Sequence, residues 1–338
     1  MKLYGAIDLH SRNNYLAVTD GNDKRIYGRR LPNRLDVVFE ALKPYKKNLA
    51  GIAVESTFNW YWLVDGMQEQ GYTVHLVNPS AVKQYEGLKH ADDKWDAFWL
   101  CHLLRLGILP TGYIYPKEIR PVRDLLRRRT LFVKHRTSHI LSTQSMIERV
   151  AGKHLSVTEI NRLDGEAIEQ LFHQPQVEFA TQSNIAAIQF YNKQIREIEK
   201  EVLDQVKLRD EFNMLLTIPG IGKILGLTIM LEVGDIGRFA TVGDYCSYCR
   251  CVKATRLSDG KKKGNNNSKN GNKYLSWAYV EAAHFARRFC VEAQMFYNRK
   301  LAKRNEPVAV KALSSKLARA SYYLMRDRVP FDVKKLFR

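Results

Sequence analysis

Four acidic residues are spaced so that the elements around them would bring their carboxylates together. Asp8 lies inside an apolar, strand-like run, and Glu55 ends a later apolar run. Asp93 and Asp96 are three residues apart in a helical pattern and share one helix face, as Asp92 and Asp96 would also do. Carboxylates gathered at one place repel one another unless a cation lies between them, and such oxygens are the ligands of Mg²⁺. The pattern predicts a site for Mg²⁺ or Mn²⁺ of the kind that catalyses phosphoryl transfer.

The elements expected to carry these acids follow the order β-β-β-α-β-α-β-α over residues 1–113. This order predicts an α/β domain whose mixed sheet has an antiparallel meander followed by parallel crossovers. It is the order of the ribonuclease H-like (RuvC-like) fold, and several other α/β folds share it. In open α/β sheets, ligands bind at the carboxyl ends of strands, which is where Glu55 is expected. We therefore expect residues 1–113 to form the catalytic domain.

Residues 114–207 are expected to form a helical, coiled-coil middle region. A long helical pattern at 119–150 carries a basic stripe with few acids beside it, which predicts contacts with a phosphate backbone. The stripe consists of Arg120, Arg123, Arg127 and Lys134. A second pattern, at 184–206, repeats apolar residues every seven positions and predicts a short coiled coil. Pairing of these helices within one chain or across a dimer both remain open.

Residues 208–338 are expected to form a mostly α-helical C-terminal domain. Its most specific motif is the run 218–223, Ile-Pro-Gly-Ile-Gly-Lys, between two apolar helical patterns. The run predicts a helix-hairpin-helix, which would hold nucleic-acid phosphates through Gly220, Gly222 and Lys223 without reading sequence. An αα-turn used only for packing is the alternative.

A Gly-, Asn- and Lys-rich segment at 255–273 has a composition that does not pack a core. It is either a flexible basic loop or a cationic segment that brings Ser258 to a phosphodiester. A serine hydroxyl needs activation to act as a nucleophile, so the activating group would come from elsewhere in the fold. Thr255 and Ser268 are weaker candidates for the nucleophile. The lysines expected to contact nucleic acid here are Lys261, Lys262, Lys263 and Lys269.

The net charge of +19 is concentrated in two blocks, +7 over residues 114–154 and +14 over residues 208–338. Such an excess predicts a polyanionic partner, most simply nucleic acid. No apolar run approaches the roughly 18 residues that span a bilayer, so we expect a cytoplasmic protein with no membrane contact. The Cys-x-x-Cys at Cys246 and Cys249 lacks a second ligand pair, so we expect buried thiols here and not a zinc site.

Taken together, these motifs resemble one family along nearly the whole chain. Asp8 in AIDLH, Glu55 in VES, Asp93 and Asp96 in DDKWDA, IPGIGK at 218–223 and the Ser258 loop ending in SKNGN occur in that order. The chain closely resembles the DEDD transposases of bacterial and archaeal insertion sequences, which are relatives of the Piv DNA invertases.

The resemblance implies a RuvC-like domain, a coiled-coil insert and a C-terminal transposase domain. It implies Asp8, Glu55, Asp93 and Asp96 as Mg²⁺ ligands, with either Asp92 or Asp93 as the third acid. Ser258 would be the nucleophile that joins covalently to DNA. A homo-oligomer, a dimer or tetramer, would act on element ends and target DNA at the prokaryotic nucleoid, guided by a bridge RNA.

Two other functions fit the same residues. A RuvC-like nuclease would use the acids and a metal-bound water to hydrolyse DNA, with no role for Ser258. A non-catalytic nucleic-acid-binding protein would need neither the acids nor the serine.

Overall fold

The computed structural model describes residues 1–82, 92–205, 210–252, 255–265 and 270–337. The chain divides into two compact units, an N-terminal unit at Met1–Lys117 and a C-terminal unit at Glu118–Arg338. The boundary lies close to the one expected after residue 113. A further division near residue 207 stays a prediction.

The N-terminal unit is built on a five-stranded mixed sheet in the order β3-β2-β1-β4-β5. β1 pairs with β2 and β2 with β3 in antiparallel fashion, whereas β1–β4 and β4–β5 are parallel. This is the meander followed by crossovers that the sequence predicts. The strands are β1 (Leu3–Leu9), β2 (Asn13–Asp20), β3 (Arg25–Pro32), β4 (Leu49–Glu55) and β5 (Val74–Val77).

Helices cover both faces of this sheet, and the side chains that each face presents differ in size. Large apolar residues such as Ile7 pack with α1 and α2. On the opposite face, Ala6, Ala17 and Ala53 pack with α4. Because alanine side chains are short, α4 lies close over β1 and β4. The helices are α1 (Leu35–Leu42), α2 (Tyr61–Glu69), α3 (Pro79–Val82) and α4 (Asp93–Arg105), and a 3₁₀ turn spans Lys46–Asn48.

Two long helices open the C-terminal unit and pack against each other within one chain. α5 spans Arg120–Ala151 and α8 spans Pro175–Gln205. α8 begins nine residues before the expected residue 184, since Pro175 starts it with a φ already suited to a helix. The apolar residues of the predicted heptads are buried, at Ile188, Ile195 and Val202. Short helices between them are α6 (Val157–Ile160) and α7 (Gly165–Leu171).

The remainder of the C-terminal unit is a helical domain with one small hairpin. α10 is buried along most of its length and packs on α12, which presents small residues such as Ala282 and Ala286. In the described part of the chain, no helix is long and apolar enough to cross a membrane. The helices are α9 (Asp210–Leu216), α10 (Lys223–Val233), α11 (Val242–Tyr248), α12 (Lys273–Phe289), α13 (Val291–Leu301), α14 (Glu306–Asp327) and α15 (Val333–Phe337), and a 3₁₀ turn spans Ile236–Arg238.

The basic segment expected as a loop contains a two-stranded antiparallel hairpin. β6 (Thr255–Ser258) pairs with β7 (Lys261–Asn265), and Ser258 lies opposite Lys261. Asp259 and Gly260 connect the strands with φ values of 52° and 66°. Both angles are positive, which Asp-Gly accommodates at a two-residue hairpin turn. We call residues 255–265 the serine hairpin.

Gly220 is the tightest point of the turn between α9 and α10. Its φ is +86°, and a Cβ there would overlap the backbone of Ala282 and lie 2.7 Å from the Ala286 nitrogen. We expect Gly220→Ala to lower the free energy of unfolding by about 3 kcal/mol, because positive φ and backbone overlap are both costly. Urea unfolding of the full chain measures this.

The matched control is Gly222→Ala, because a Cβ at Gly222 meets nothing within 4 Å and its φ is −85°. It should cost less than about 1 kcal/mol. Equal losses for both variants would contradict the role assigned to Gly220.

Candidate functional site

Asp8 is a buried carboxylate on the face of the sheet that α4 covers. It is 3% exposed, and it follows Ile7, which pairs with Val54 of β4 in the parallel ladder. The next residues of the two strands are Asp8 and Glu55, and their side chains form a hydrogen bond. Adjacent parallel strands therefore place two of the expected acids side by side.

The start of α4 brings the other acids towards Asp8. The Asp92 carboxylate accepts a hydrogen bond from the Trp95 backbone N–H at 2.7 Å and caps the helix. Asp93 instead turns towards Asp8, with carboxylate oxygens of the two residues within 4.8 Å. Asp96, one turn later, is exposed but close enough to raise the pKa of Asp8 by its charge. We call Asp8, Glu55, Asp93 and Asp96 the acid cluster.

Two basic side chains that the sequence analysis did not select also reach the acid cluster. The His10 Nε2 lies 3.1 Å from Asp8 Oδ2 and 3.2 Å from Asp93 Oδ1. A guanidinium nitrogen of Arg30 donates to Asp93 Oδ2 at 2.5 Å. The spacing of Asp8 and His10 could have indicated that His10 reaches the acid cluster, because residues two apart at a strand end point to the same face.

The pKa values differ sharply within the cluster. Burial raises the pKa of Asp8 above its ordinary value, and the charges of Asp93 and Asp96 add to this effect. Burial and the neighbouring Asp8 raise the pKa of Glu55 to about 7. Burial also acts on Asp93, but His10 and Arg30 outweigh it and hold the pKa below its ordinary value. Burial with too little counter-charge therefore favours the protonated forms of Asp8 and Glu55 more than in a free carboxyl group.

This donor set suits a hard divalent cation. Carboxylate oxygens are the preferred ligands of Mg²⁺ and Mn²⁺, and a cation would stabilise the ionised carboxylates that burial and mutual repulsion disfavour. Asp8, His10 and Asp93 each offer one atom, all within 4.8 Å of one another, and they are the one such group among the described residues. Glu55 adds a further oxygen beside Asp8.

Ser258 lies in the C-terminal unit, exposed at the end of β6. Lys261 and Lys263 on β7 are also exposed, so the strand that follows the turn presents cationic side chains. Thr255 and Lys262 lie on its strands, whereas Ser268 and Lys269 are outside the described residues. A meeting of Ser258 with the acid cluster stays a prediction.

The residues of the predicted basic stripe on α5 differ in how far they are buried. Arg120 and Arg123 are 3% and 7% exposed, and Arg127 is half-buried, whereas Lys134 is exposed. Arg127 binds both carboxylate oxygens of Glu232 at 2.6 and 2.8 Å, and the Arg123 Nε lies 3.3 Å from Glu232. That Arg120 and Arg123 contact phosphates stays a prediction. Their burial does not favour it.

The same Glu232 carboxylate also fixes the segment that follows the serine hairpin. Asn272 donates to Glu232 Oε2 at 2.7 Å and caps α12 by accepting from the N–H groups of Tyr274 and Leu275. The pKa of Glu232 lies below its ordinary value. Burial alone would raise it, but Arg127, Arg123 and Asn272 outweigh this effect. We call Arg123, Arg127, Glu232 and Asn272 the Glu232 network, which the sequence analysis did not find.

The two ends of the glycine-rich turn at 218–223 differ in exposure. Gly220 packs on the backbone of α12, whereas Gly222 and Lys223 are exposed at the start of α10. The exposed end is the part where backbone N–H groups are accessible to a phosphate.

Comparisons with known proteins point to one family over most of the chain. Residues 6–151 match a model described as "Transposase", for the DEDD type of IS110 elements. Residues 213–298 match the model "Transposase IS116/IS110/IS902 family". The chain belongs to the DEDD-type IS110-family transposases. It is therefore a DNA transposase, an enzyme of insertion-sequence transposition.

Two curated relatives extend this similarity along the chain. A "Probable family 20 transposase" of Pseudomonas aeruginosa is 23% identical over 286 residues, which cover 81% of this chain and 83% of the relative. The "Transposase for insertion sequence element IS1328" of Yersinia enterocolitica is 23% identical over 289 residues, which cover 83% and 85%.

The raised pKa of Glu55 makes the metal-free transposase sensitive to pH. A carboxyl whose pKa rises on folding binds its proton more tightly when folded, so stability falls as pH rises from about 4.5 to about 7. We expect wild type in EDTA to lose stability across this interval relative to Glu55→Gln, with the difference levelling above pH 7. Urea unfolding at each pH measures the difference.

The control variant is Glu40→Gln, whose side chain is 74% exposed. It should run parallel to wild type at every pH. If Glu55→Gln also runs parallel to wild type, Glu55 does not hold the proton.

The Glu232 network predicts that two basic residues of α5 have separable effects. Arg127→Ala would leave the buried Glu232 short of a counter-charge and should destabilise the chain by about 3 kcal/mol. Lys134→Ala, on the exposed part of the same helix, should change stability by less than about 0.5 kcal/mol.

Binding of nucleic acid completes this comparison. If Lys134 contacts a phosphate, Lys134→Ala should reduce the slope of log affinity against log salt by about one. Unfolding and salt-dependent binding are measured on the same preparations. A stable Arg127→Ala variant would contradict the network.

Proposed function

We propose that this transposase cuts and rejoins DNA through a covalent phosphoserine intermediate. The acid cluster would hold Mg²⁺ or Mn²⁺, and Ser258 would be the nucleophile. The observation that carries the proposal is the gathering of Asp8, Glu55 and Asp93 on one face of the sheet, with Asp96 one turn further along α4. The sheet order and the DEDD match support a ribonuclease H-like fold for the N-terminal unit.

The four acids would share the task of binding the cation at this site. Asp8, Glu55, Asp93 and Asp96 would bind the cation, and the capping role of Asp92 supports Asp93 as the third acid. The bound cation would neutralise charge on the phosphate during transfer. Arg30 would keep Asp93 ionised and oriented through its hydrogen bond.

The reaction at Ser258 conserves the energy of the phosphodiester. The Ser258 oxygen would form a bond to phosphorus as the bond from phosphorus to the leaving strand oxygen breaks. The serine proton passes to a base, and the leaving oxygen takes up a proton as a hydroxyl. Reversal of these steps on a second strand would rejoin the DNA without ATP. Lys261 and Lys263, exposed beside the serine, suit binding of the phosphate backbone.

The remaining surfaces suit a nucleic-acid partner of defined shape. We propose that Gly222 and Lys223, in a helix-hairpin-helix, and the exposed Lys134 contact phosphates. A coiled coil of α5 and α8 would support a dimer or tetramer. A bridge RNA would supply sequence recognition, since the net charge of +19 suits backbone contacts that carry no sequence information.

One competing function has structural support. The acid cluster lies entirely within the N-terminal unit, so a nuclease that activates water would be complete without Ser258. The two functions differ in whether a bond between protein and DNA forms.

Ser258→Ala separates them. The full chain, Mg²⁺, the element's RNA and labelled element-end DNA are incubated and resolved on a denaturing gel. We expect wild type to give a slow band that protease removes, and Ser258→Ala to give neither this band nor cleavage. Asp8→Asn should abolish both, because it removes a charge from the metal site.

Ser138→Ala is the matched control, since Ser138 is an exposed serine on α5. It should form the adduct like wild type. Cleavage by Ser258→Ala without an adduct would replace the recombinase proposal with the nuclease.

A further inference from the structure

The His10 ring presents an enclosed nitrogen to the acid cluster. Nε2 lies at hydrogen-bond distance from Asp8 Oδ2 and Asp93 Oδ1. Nε2 is nevertheless inaccessible to solvent and has no hydrogen-bond partner among the described residues. A buried nitrogen of this kind is costly unless a proton or a cation satisfies it.

The surrounding structure fixes His10 from its backbone. Its N–H donates to the Asn13 carbonyl at 2.9 Å, and its carbonyl accepts from the side-chain amides of Asn33 and Asn59 at 2.9 and 3.0 Å. Asn59 lies four residues after Glu55 and accepts from the Thr57 hydroxyl at 2.8 Å. The turn after β1 and the loop after β4 are thus tied together, which sets the position of the ring relative to Asp8.

We propose that His10 is a nitrogen ligand of the metal in the acid cluster, and that it makes the site prefer Mn²⁺ to Mg²⁺. This inference rests on the proposed metal binding by Asp8 and Asp93. The three ligand atoms converge within 4.8 Å, as atoms sharing one cation do.

The preference follows from the chemistry of the donor. Mg²⁺ favours oxygen ligands and gives up its water reluctantly, so an imidazole adds little to its affinity. Mn²⁺ shares the preference of Mg²⁺ for carboxylates, but it also begins the transition-metal series that binds sites of mixed nitrogen and oxygen ligands. A site with one nitrogen among carboxylates therefore gains more affinity for Mn²⁺ than for Mg²⁺.

The test measures metal binding to the full chain without nucleic acid. Free Mn²⁺ is followed by electron paramagnetic resonance during titration, and Mg²⁺ is measured by competition. We expect His10→Ala to weaken Mn²⁺ binding at least about tenfold and Mg²⁺ binding less than about threefold. Pulsed measurements should show ¹⁴N coupling to bound Mn²⁺ in wild type and not in His10→Ala.

Two controls keep the outcomes distinct. His154→Ala removes an exposed histidine of the C-terminal unit and should leave both affinities unchanged. Asp8→Asn should abolish binding of either metal, and if it does not, the proposed metal site itself fails.

One result would overturn the inference about His10 and still support metal binding by the acid cluster. In that result, Asp8→Asn binds neither metal and wild type shows no ¹⁴N coupling. The inference is also overturned if His10→Ala weakens both metals equally. Tighter binding by His10→Ala would do the same, since the ring would then be a cation that competes with the metal.

Discussion

A buried carboxylate without sufficient counter-charge governs the N-terminal unit. Asp8 is 3% exposed inside a sheet whose neighbouring strand contributes a second acid. The face of small alanines brings α4 and its acids close as well, so local packing concentrates negative charge where desolvation makes it costly. Arg30 neutralises part of that charge through its ion pair with Asp93. The remaining imbalance, at Asp8 and Glu55, is what a divalent cation would relieve.

Glu232 shows the opposite solution to the same problem. It is as buried as Asp8, yet two arginines and an asparagine amide satisfy its oxygens, and its pKa falls. The charge of Glu232 is thus neutralised within the fold, and its contacts join α5, α10 and the start of α12. The two carboxylates therefore differ in what they can do. Glu232 has its counter-charges within the fold and stabilises it, whereas Asp8 lacks a full counter-charge and can accept a ligand.

Sequence patterns predicted the strands of the N-terminal unit well, since alternation and turn residues are local properties. They also predicted that Asp8, Glu55 and either Asp92 or Asp93 would lie close together, because parallel strand ends and a helix start have few alternative positions, and the metal-binding role of these acids stays a prediction. The arginine stripe was less informative, since helical spacing does not tell whether Arg123 faces solvent or a glutamate 109 residues away. The serine hairpin was not predicted although Asp259-Gly260 is a strong turn signal, because a Gly-, Asn- and Lys-rich composition is typical of loops. His10 was not predicted, because its position depends on hydrogen bonds from Asn33 and Asn59, which are distant in sequence.

Described residues on either side of the serine hairpin bind to α11 through backbone hydrogen bonds. The Cys251 N–H donates to the Cys246 carbonyl at 2.8 Å, and the Asn272 N–H donates to the Tyr248 carbonyl at 2.6 Å. Both ends of the segment therefore return to α11, and the Glu232 network holds Asn272 from the other side. Under the proposed function, Ser258 would move with the C-terminal unit, while the metal stays with the N-terminal unit. A serine hydroxyl is a weak nucleophile until it is activated, so a nucleophile and an activating site on separate units would remain unreactive until assembly on DNA unites them.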